Sequence, residues 1–201
     1  MQQRQPNKQV TGGPLSMFQR LFGRERRANR AITDALYGQI VAAARQKTFY
    51  SDWQVPDTPL GRFEMLSLVM LLFQHRLRGE GGPAHEVAQV LIDEFFTDVE
   101  HSLRELGISD PGVPKRMKRL AKMFYGRTAA YSDALDQADA GALAAALARN
   151  VRPDATEWPQ ATELAAYAFR VEKELAAQPV ADICAGWMAF PAASRGGGDA
   201  A

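Results

Sequence analysis

Apolar side chains recur along most of the chain at the three- and four-residue steps of an amphipathic α-helix. The clearest example runs from Val87 to Leu106 and stops at Gly107. Further helices are predicted at residues 31–46, 59–78, 114–131, 140–149 and 159–177. No stretch shows the polar and apolar alternation of a β-strand. The pattern therefore predicts an all-α fold, a single compact bundle of about six helices with flexible N- and C-terminal tails.

The predicted helix 59–78 carries the most apolar run of the chain, MLSLVMLLF at 65–73. Thr58 is a favoured N-cap residue and Pro59 suits the first helical position, so this helix has a clear start signal. The run is far shorter than the roughly 20 apolar residues that cross a bilayer. We expect a buried central helix and no membrane span.

The two ends of the chain differ from the middle. Residues 1–16 have few apolar side chains and no repeating period, which predicts a disordered tail. Residues 17–179 form the predicted helical domain. Residues 180–201 form a C-terminal tail whose first part, with its aromatic residues, is expected to dock while its Gly-rich end stays mobile.

The segment 17–30 is rich in arginine and contains one acidic residue, Glu25. Three interpretations are open: a mitochondrial transit peptide, an arm that contacts anionic membrane or RNA, and a solvated helix start. We favour the arm, because this short run leads directly into a helical pattern. Met17, where the pattern begins, is an alternative start of the protein.

Composition is that of an ordinary soluble protein, with 46% hydrophobic and 23% charged residues in 201. This excludes wholesale disorder and a membrane channel. The 24 Lys and Arg residues nearly balance 23 Asp and Glu residues, so overall charge gives no basis for nucleic-acid binding, and we predict no DNA partner. The single cysteine, Cys184, cannot form an intramolecular disulfide, which favours a reducing compartment.

No motif for catalysis stands out. The three histidines, His75, His85 and His101, include no ligand pair at i, i+4, and the stretch from Asp98 to His101 has no second copy to build a di-iron site. GEGGP at 79–83 lacks the strand and the lysine of a phosphate-binding loop. We therefore predict no catalytic residues, no metal and no cofactor. A Ser-His-Asp triad stays open, because triads are assembled in space.

Two predicted helices carry opposite charge. Residues 86–100 hold five acidic residues and no Lys or Arg, whereas 115–127 hold only basic charged residues. The partner-binding candidates on the basic helix are Lys115, Arg116, Lys118, Arg119 and Lys122. One interpretation is that the two helices pair with each other or are simply solvated. The other is that the basic helix binds ribosomal RNA, lipid head groups or an acidic protein surface.

An apolar groove is a second candidate surface. Phe95 and Phe96 are neighbours on a helix and diverge by about 100°, so both cannot point into one core. One of them could line a groove together with methionines, which adapt to varied apolar partners. The methionines concerned are Met65, Met70, Met117 and Met123.

Three segments of the chain carry a specific pattern: YGQIVAAARQKTFYSDWQVPDTPLGRFEML at 37–66, LIDEFFTDVEHSLRELGISDPGVPKRMKRLAKMFYGRTAAY at 91–131 and LAAALARNV at 143–151. Together they resemble the ubiquinol–cytochrome c chaperone family, whose members assist assembly of the cytochrome bc1 complex. The resemblance covers a family-like core at 37–151, and its most specific stretches are VPDT-x-x-GRF and the SLRE-x-G region.

The resemblance implies a non-catalytic assembly chaperone that binds newly made cytochrome b through an apolar groove and the basic helix. Expected partners are cytochrome b or bc1 assembly intermediates, with the ribosome, an anionic membrane surface and a small helical protein as further candidates. The short N-terminal extension points to a bacterial member, located in the cytoplasm or at the inner face of the inner membrane. For a eukaryotic member the location would be the mitochondrial matrix.

Many positions match the family pattern, and each also has a simple structural explanation. Pro56 and Gly107 shape turns, Phe63 suits a core, and Arg62 can pair with Asp57. The matching residues are Tyr50, Trp53, Pro56, Asp57, Gly61, Arg62, Phe63, Arg104, Glu105, Gly107, Asp110, Val113, Lys115, Arg116, Lys118, Tyr125, Gly126, Arg127 and Tyr131.

Other functions stay open on sequence grounds. The main alternative is a helical protein that binds a small molecule or lipid, such as a quinone, haem or an acyl chain, in the groove. An RNA-binding adaptor would use the basic helix and would bind with steep salt dependence. An enzyme of unrecognised type would need a deep polar pocket with titratable groups.

Overall fold

The six long helices overlap the segments where the apolar period predicts helices, and two short helices, at 47–51 and 180–184, were not predicted. The computed structural model describes residues 14–194, with side chains from Asn29 onward, and this part contains eight helices and no strand. Six have 12 residues or more and two have five, so the predicted all-α bundle is confirmed. The helices are α1 (Pro14–Ala44), α2 (Lys47–Ser51), α3 (Pro59–Leu77), α4 (Pro83–Glu105), α5 (Val113–Asp136), α6 (Ala140–Val151), α7 (Ala161–Ala177) and α8 (Val180–Cys184).

Helix α3 is the central element, as its apolar run predicts. It packs against α1, α4 and α7 and also contacts α5 and α6. Almost every residue from Phe63 to Phe73 is buried. Its start is capped as expected, since the Gly61 backbone N–H donates to Thr58 Oγ1 at 3.1 Å. Surrounded by helices, α3 buries apolar side chains all round instead of along one stripe.

Helices α4 and α5 form a hairpin on one side of α3. Helix α4 ends at Glu105, and Gly107 adopts a φ of 77°, a left-handed conformation that glycine accepts easily. Helix α5 begins at Val113 and runs to Asp136, beyond the predicted end at 131. Its buried face includes Phe124 and Tyr131.

An aromatic cluster closes the bundle around α2 and α7. The rings of Phe49, Trp53 and Tyr167 lie with centroids 5.1–5.8 Å apart. Trp158, which precedes α7, donates from its indole N–H to the carbonyl oxygen of Trp53 at 2.8 Å. This contact joins the loop after α2 to the loop between α6 and α7.

The structure places the border between the N-terminal tail and the helical domain earlier than the sequence predicts. Residues 1–13 and 195–201 lie outside the described residues, so most of the predicted N-terminal tail is not tested. Residues 14–16, however, belong to α1, which makes the arginine-rich segment 17–30 part of one continuous helix. No described helix combines the length and apolarity that crossing a bilayer requires.

The segment after α7 docks on the bundle, as expected for the first part of the C-terminal tail. Ile183 and Met188 are buried. Gln39 on α1 holds the segment in place, since its amide donates to the carbonyl of Gly186 at 3.0 Å and its Oε1 accepts from the Met188 N–H at 2.8 Å. Residues 180–193 are therefore part of the folded body.

Candidate functional site

The outward face of α5 is cationic. Lys115, Lys118, Arg119 and Lys122 occupy positions i, i+3, i+4 and i+7 of the helix, which places them on the face opposite the buried Phe124. All four are exposed, and so is Arg116 on the flank of the helix. We call these five residues the basic face. The structure thus brings together the five basic residues that the sequence singles out.

None of the five has a carboxylate partner within 4.0 Å among the side chains of residues 29–194. Three acidic residues of α4 have other partners: Asp98 accepts from the Tyr37 hydroxyl at 2.9 Å, Glu94 lies 3.6 Å from Arg30, and Glu100 binds Arg104 at 2.8 Å. In this part of the chain the two oppositely charged helices do not neutralise each other. The basic face keeps its charge available to a partner or to solvent.

A row of neighbouring aromatic rings extends from the core to the edge of the basic face. The Phe95 ring is buried and lies 5.1 Å from Phe124, which lies 5.3 Å from Tyr125. Tyr125 also lies 6.0 Å from Phe96 and is 58% exposed. Phe95 is buried and Phe96 only partly so, which confirms that the two neighbours diverge. Tyr125 follows Lys122 by three residues and adds an apolar ring beside the cations.

The predicted apolar groove is only partly available. Met65 and Met70 are buried in α3, so their assignment to a groove is wrong. The reason is that α3 is enclosed by neighbouring helices, so its methionines pack in the core. Met117 and Met123 on α5 are partly buried and lie near the surface with Phe96.

Arg127 extends from α5 into the interior and meets Glu64 of α3. Its Nη2 donates to Glu64 Oε1 at 2.7 Å, and the two side chains are 11% and 2% exposed. Burial raises the pKa of Glu64 to about 7, although the Arg127 cation opposes this shift. The neighbouring Ser67 hydroxyl and the Arg127 Nε are buried without a hydrogen-bond partner.

Arg127 is one of the family-pattern residues, whereas the sequence pattern did not single out Glu64. The available signal was a carboxylate directly before the most apolar run of the chain, where a charge is expected to need a partner. Tyr131, one turn after Arg127, is also buried and accepts from the Asn150 amide at 3.1 Å. Burial raises the pKa of Tyr131 to about 12.

The family-pattern residues at 50–63 build a tight loop before α3. The predicted pair forms, with Arg62 Nε donating to Asp57 Oδ1 at 2.6 Å. Gly61 is needed because a Cβ there would lie 1.9 Å from the carbonyl oxygen of Pro56. Trp53 and Phe63 are buried, and the Tyr50 hydroxyl donates to the carbonyl of Ala44 at 3.0 Å.

The family-pattern residues around the α4–α5 turn are held by surface ion pairs. Arg104 binds Glu100 and Asp110, and Glu105 lies 3.2 Å from His101. Val113 is buried at the start of α5. Gly126 is different, because no atom lies within 4 Å of a Cβ built there and the residue is exposed on the basic face. Packing within the described chain does not explain this glycine.

The candidates for chemistry do not converge. No group of three or more metal-ligating side chains occurs among the described residues. His75 lies 3.1 Å from Asp136, and His101 pairs with Glu105 on the surface. Cys184 is half-buried, and burial together with the Glu80 carboxylate raises the pKa of its thiol, which makes it a weaker nucleophile.

Two small clefts lie on the described surface. One, of about 340 Å³, lies between the end of α3, the start of α4 and α5, and includes His75, Arg78 and Ser132. The other, of about 320 Å³, lies between the loop before α3 and the loop after α6. Both are at the small end of the range for ligand pockets.

Comparison with known proteins adds two matches. The sequence model of the family described as ubiquinol-cytochrome C chaperone matches residues 51–190. A crystal structure of the Cbp3 homolog from Brucella abortus is 53% identical, with a TM-score of 0.82 over 89% of this chain and 98% of that chain. No curated protein matches the sequence.

Proposed function

We propose, because the chain belongs to the ubiquinol–cytochrome c chaperone family, that it is a non-catalytic assembly chaperone for the cytochrome bc1 complex. Its client is newly made cytochrome b or an early bc1 intermediate. The observation that supports this is the basic face of α5: five exposed cations with no acidic partner among the described side chains, beside the exposed ring of Tyr125. Such a surface is suited to hold and release an acidic polypeptide, and no bond-making chemistry is needed.

The basic face would act mainly on the encounter with the client. Unpaired cations on one face raise the rate at which an acidic surface approaches and orients, while contributing less to the final affinity. Tyr125, Phe96 and the partly buried Met117 and Met123 supply apolar contact beside the cations. The apolar part of the site is therefore a strip along the α4–α5 edge and is smaller than the groove expected from the sequence, since Met65 and Met70 are buried.

Further partners follow from the same chemistry. RNA phosphates of the ribosome and anionic lipid head groups both bind clustered Lys and Arg. We propose that the protein works on the cytoplasmic side of the membrane that receives the client. A small helical protein is a further candidate partner, for which Gly126 offers a place where a second helix could approach closely.

Charge reversal tests the proposal. Lys115→Glu, Arg116→Glu and Lys118→Glu, combined in one tagged chain, should lose co-purification of cytochrome b and lower the level of assembled bc1 complex. The matched control carries Lys47→Glu, Arg149→Glu and Lys173→Glu, which produce the same charge change at exposed positions on α2, α6 and α7. Circular dichroism verifies that both variants are helical. Undiminished recovery of cytochrome b by the first variant would reject the basic face as the client site.

A further inference from the structure

The loop between α2 and α3 is held more rigidly than a connection requires. Val55 donates to the Phe49 carbonyl at 2.9 Å, and the carbonyl of Trp53 accepts from Trp158. Gln54 has a φ of 58°, a conformation that residues other than glycine rarely adopt. A strained residue persists only when its surroundings fix it, and such residues concentrate at binding sites.

The same loop leaves an apolar side chain in solvent. Leu60, at the second position of α3, is 47% exposed, although the backbone around it is fixed by the Thr58 cap and the Asp57–Arg62 pair. Rigid loops lose little conformational entropy when they bind. An ordered loop that presents an exposed leucine is therefore suited to contact a partner.

Leu60 forms one wall of the cleft of about 320 Å³ before α3. The opposite wall comes from the loop after α6, and Arg152 ties the two loops together by donating to Gln54 Oε1 at 3.2 Å. The lining residues are Pro56, Thr58, Leu60, Gly61, Val151, Arg152, Pro153, Asp154 and Ala155. Most of them are apolar, and the volume suits one large apolar side chain with its adjoining backbone.

The charge at the rim of the cleft determines which residue of a bound segment can lie next to its apolar side chain. Asp154 lines the cleft, is exposed, and has no cation within 4.0 Å among the side chains of residues 29–194. Glu157, exposed on the same loop, also has no ion pair there. Arg152 is half-buried and engaged with Gln54, so the accessible charge at this rim is acidic.

We propose that this cleft binds a polypeptide segment in which an aromatic or large aliphatic anchor is followed directly by Lys or Arg. The choice of partner rests on the proposed function. Membrane proteins carry aromatic residues at the interface and Lys or Arg just beyond it on the cytoplasmic side, which is the sequence chemistry that the cleft fits. The cleft therefore recognises the cytoplasmic end of a transmembrane helix, and the basic face contacts a separate, acidic part of the client.

The binding test uses the full chain and short synthetic peptides. ¹H–¹⁵N NMR titration compares Ac-Gly-Phe-Lys-Arg-Gly-NH₂ with peptides in which Ala replaces Phe or Glu-Glu replaces Lys-Arg. The first peptide should shift the amides of residues 54–62 and 151–155 and bind at least about tenfold more tightly than the other two. Equal binding of the three peptides, or shifts confined to other regions, would overturn the proposal.

Variants assign the binding to the cleft. Leu60→Asp and Asp154→Lys should each lower the affinity for the first peptide by about tenfold. Leu60→Asp is compatible with folding, because an acidic residue is favourable in the first turn of a helix. The controls are Val90→Asp, a position that is likewise 47% exposed, and Asp93→Lys, another exposed acid, both on α4. Loss of binding in the controls, or retention of it in the cleft variants, counts against the cleft.

A cellular experiment separates this inference from the proposed function. If deletion of the gene leaves the bc1 complex fully assembled, the proposed function fails whatever the peptides do. If deletion abolishes assembly, but expression of the Leu60→Asp variant restores assembly as well as the wild-type chain does, only the cleft assignment fails. Support for both requires that Val90→Asp restores assembly and Leu60→Asp does not.

Discussion

Arg127 of α5 donates a hydrogen bond to Glu64 of α3 at 2.7 Å, and only 11% and 2% of the two side chains are exposed. The pair joins the helix that carries the basic face to the central helix. Removing one member of a buried pair leaves the other charge without compensation, whereas replacing both by neutral groups is far milder. The pair therefore allows a clear test of how α5 is anchored.

Arg127→Met should lower the free energy of unfolding by about 3–5 kcal/mol near pH 8, because Glu64 must then either stay buried as an unpaired carboxylate or take up a proton at a pH well above its ordinary pKa. The double variant Glu64→Gln/Arg127→Met should recover most of this loss. Urea unfolding followed by circular dichroism measures both. A double variant that is as unstable as the single one would show that Arg127 acts through packing and that its charge is not the cause.

Glu64 also predicts a pH dependence of stability. Its pKa is raised by burial from 4.5 to about 7, so the folded protein holds a proton that the unfolded chain releases between these values. This contribution is complete below about pH 4.5 and is lost as the pH rises through about 7. Unfolding free energies of the wild-type chain should fall over this range relative to Glu64→Gln/Arg127→Met. Parallel pH profiles for the two proteins would contradict the shift.

Two glycines of the family pattern should respond in opposite ways to alanine. Gly61→Ala places a Cβ 1.9 Å from the Pro56 carbonyl oxygen, so the loop must move and the thermal midpoint should fall by several degrees. Gly126→Ala meets no atom within 4 Å and removes a flexible residue from inside a helix, which should stabilise the protein by about 1 kcal/mol. Differential scanning calorimetry compares the two.

Recovery of cytochrome b by the Gly126→Ala variant tests whether a partner approaches α5 at this glycine. If Gly126→Ala stabilises the fold but weakens recovery of cytochrome b, a partner approaches the backbone of α5 at this point. A destabilised Gly126→Ala variant would contradict the geometry described for the basic face.

Trp158→Phe removes the hydrogen bond to the carbonyl of Trp53 while keeping most of the apolar ring. The buried carbonyl loses its partner, so the unfolding free energy should fall by about 1–3 kcal/mol. Because the bond joins the two loops that flank the cleft, hydrogen exchange should accelerate at residues 53–56. Unchanged exchange there would show that the loop is fixed without it.

Local features of the fold could be predicted from sequence, because they depend on neighbours in the chain. The Thr58 cap spans three residues and the Asp57–Arg62 pair spans five, and both form as expected. Phe95 and Phe96 diverge as the helical period requires. These contacts involve one element and the turn next to it, so no knowledge of the tertiary arrangement is needed.

Contacts between distant elements could not be predicted in this way. Glu64 and Arg127 are 63 positions apart, and nothing in the helical period indicates that α5 crosses α3 at this point. The apolar run predicts that α3 is buried, but which of its side chains face a groove depends on the placement of the neighbouring helices, and the structure puts Met65 and Met70 in the core. The availability of the basic face was open on sequence grounds, because the acids of α4 could have paired with it. Only the structure shows that three of these acids, Asp98, Glu94 and Glu100, instead contact Tyr37, Arg30 and Arg104.

The basic face should act on the rate of association more than on the rate of dissociation. Its cations are exposed and long, and rim charges of this kind steer the encounter while buried contacts determine how long the complex lasts. In surface plasmon resonance with detergent-solubilised cytochrome b, Lys118→Glu/Lys122→Glu should lower the association rate constant about tenfold at low salt and leave the dissociation rate nearly unchanged. The difference from the wild-type chain should shrink as the salt concentration rises from about 50 to 200 mM, since the Debye length shortens. Arg149→Glu/Lys173→Glu serves as the charge-matched control. A variant that dissociates faster at unchanged association rate would place these lysines inside the tightly packed part of the interface and not at its rim.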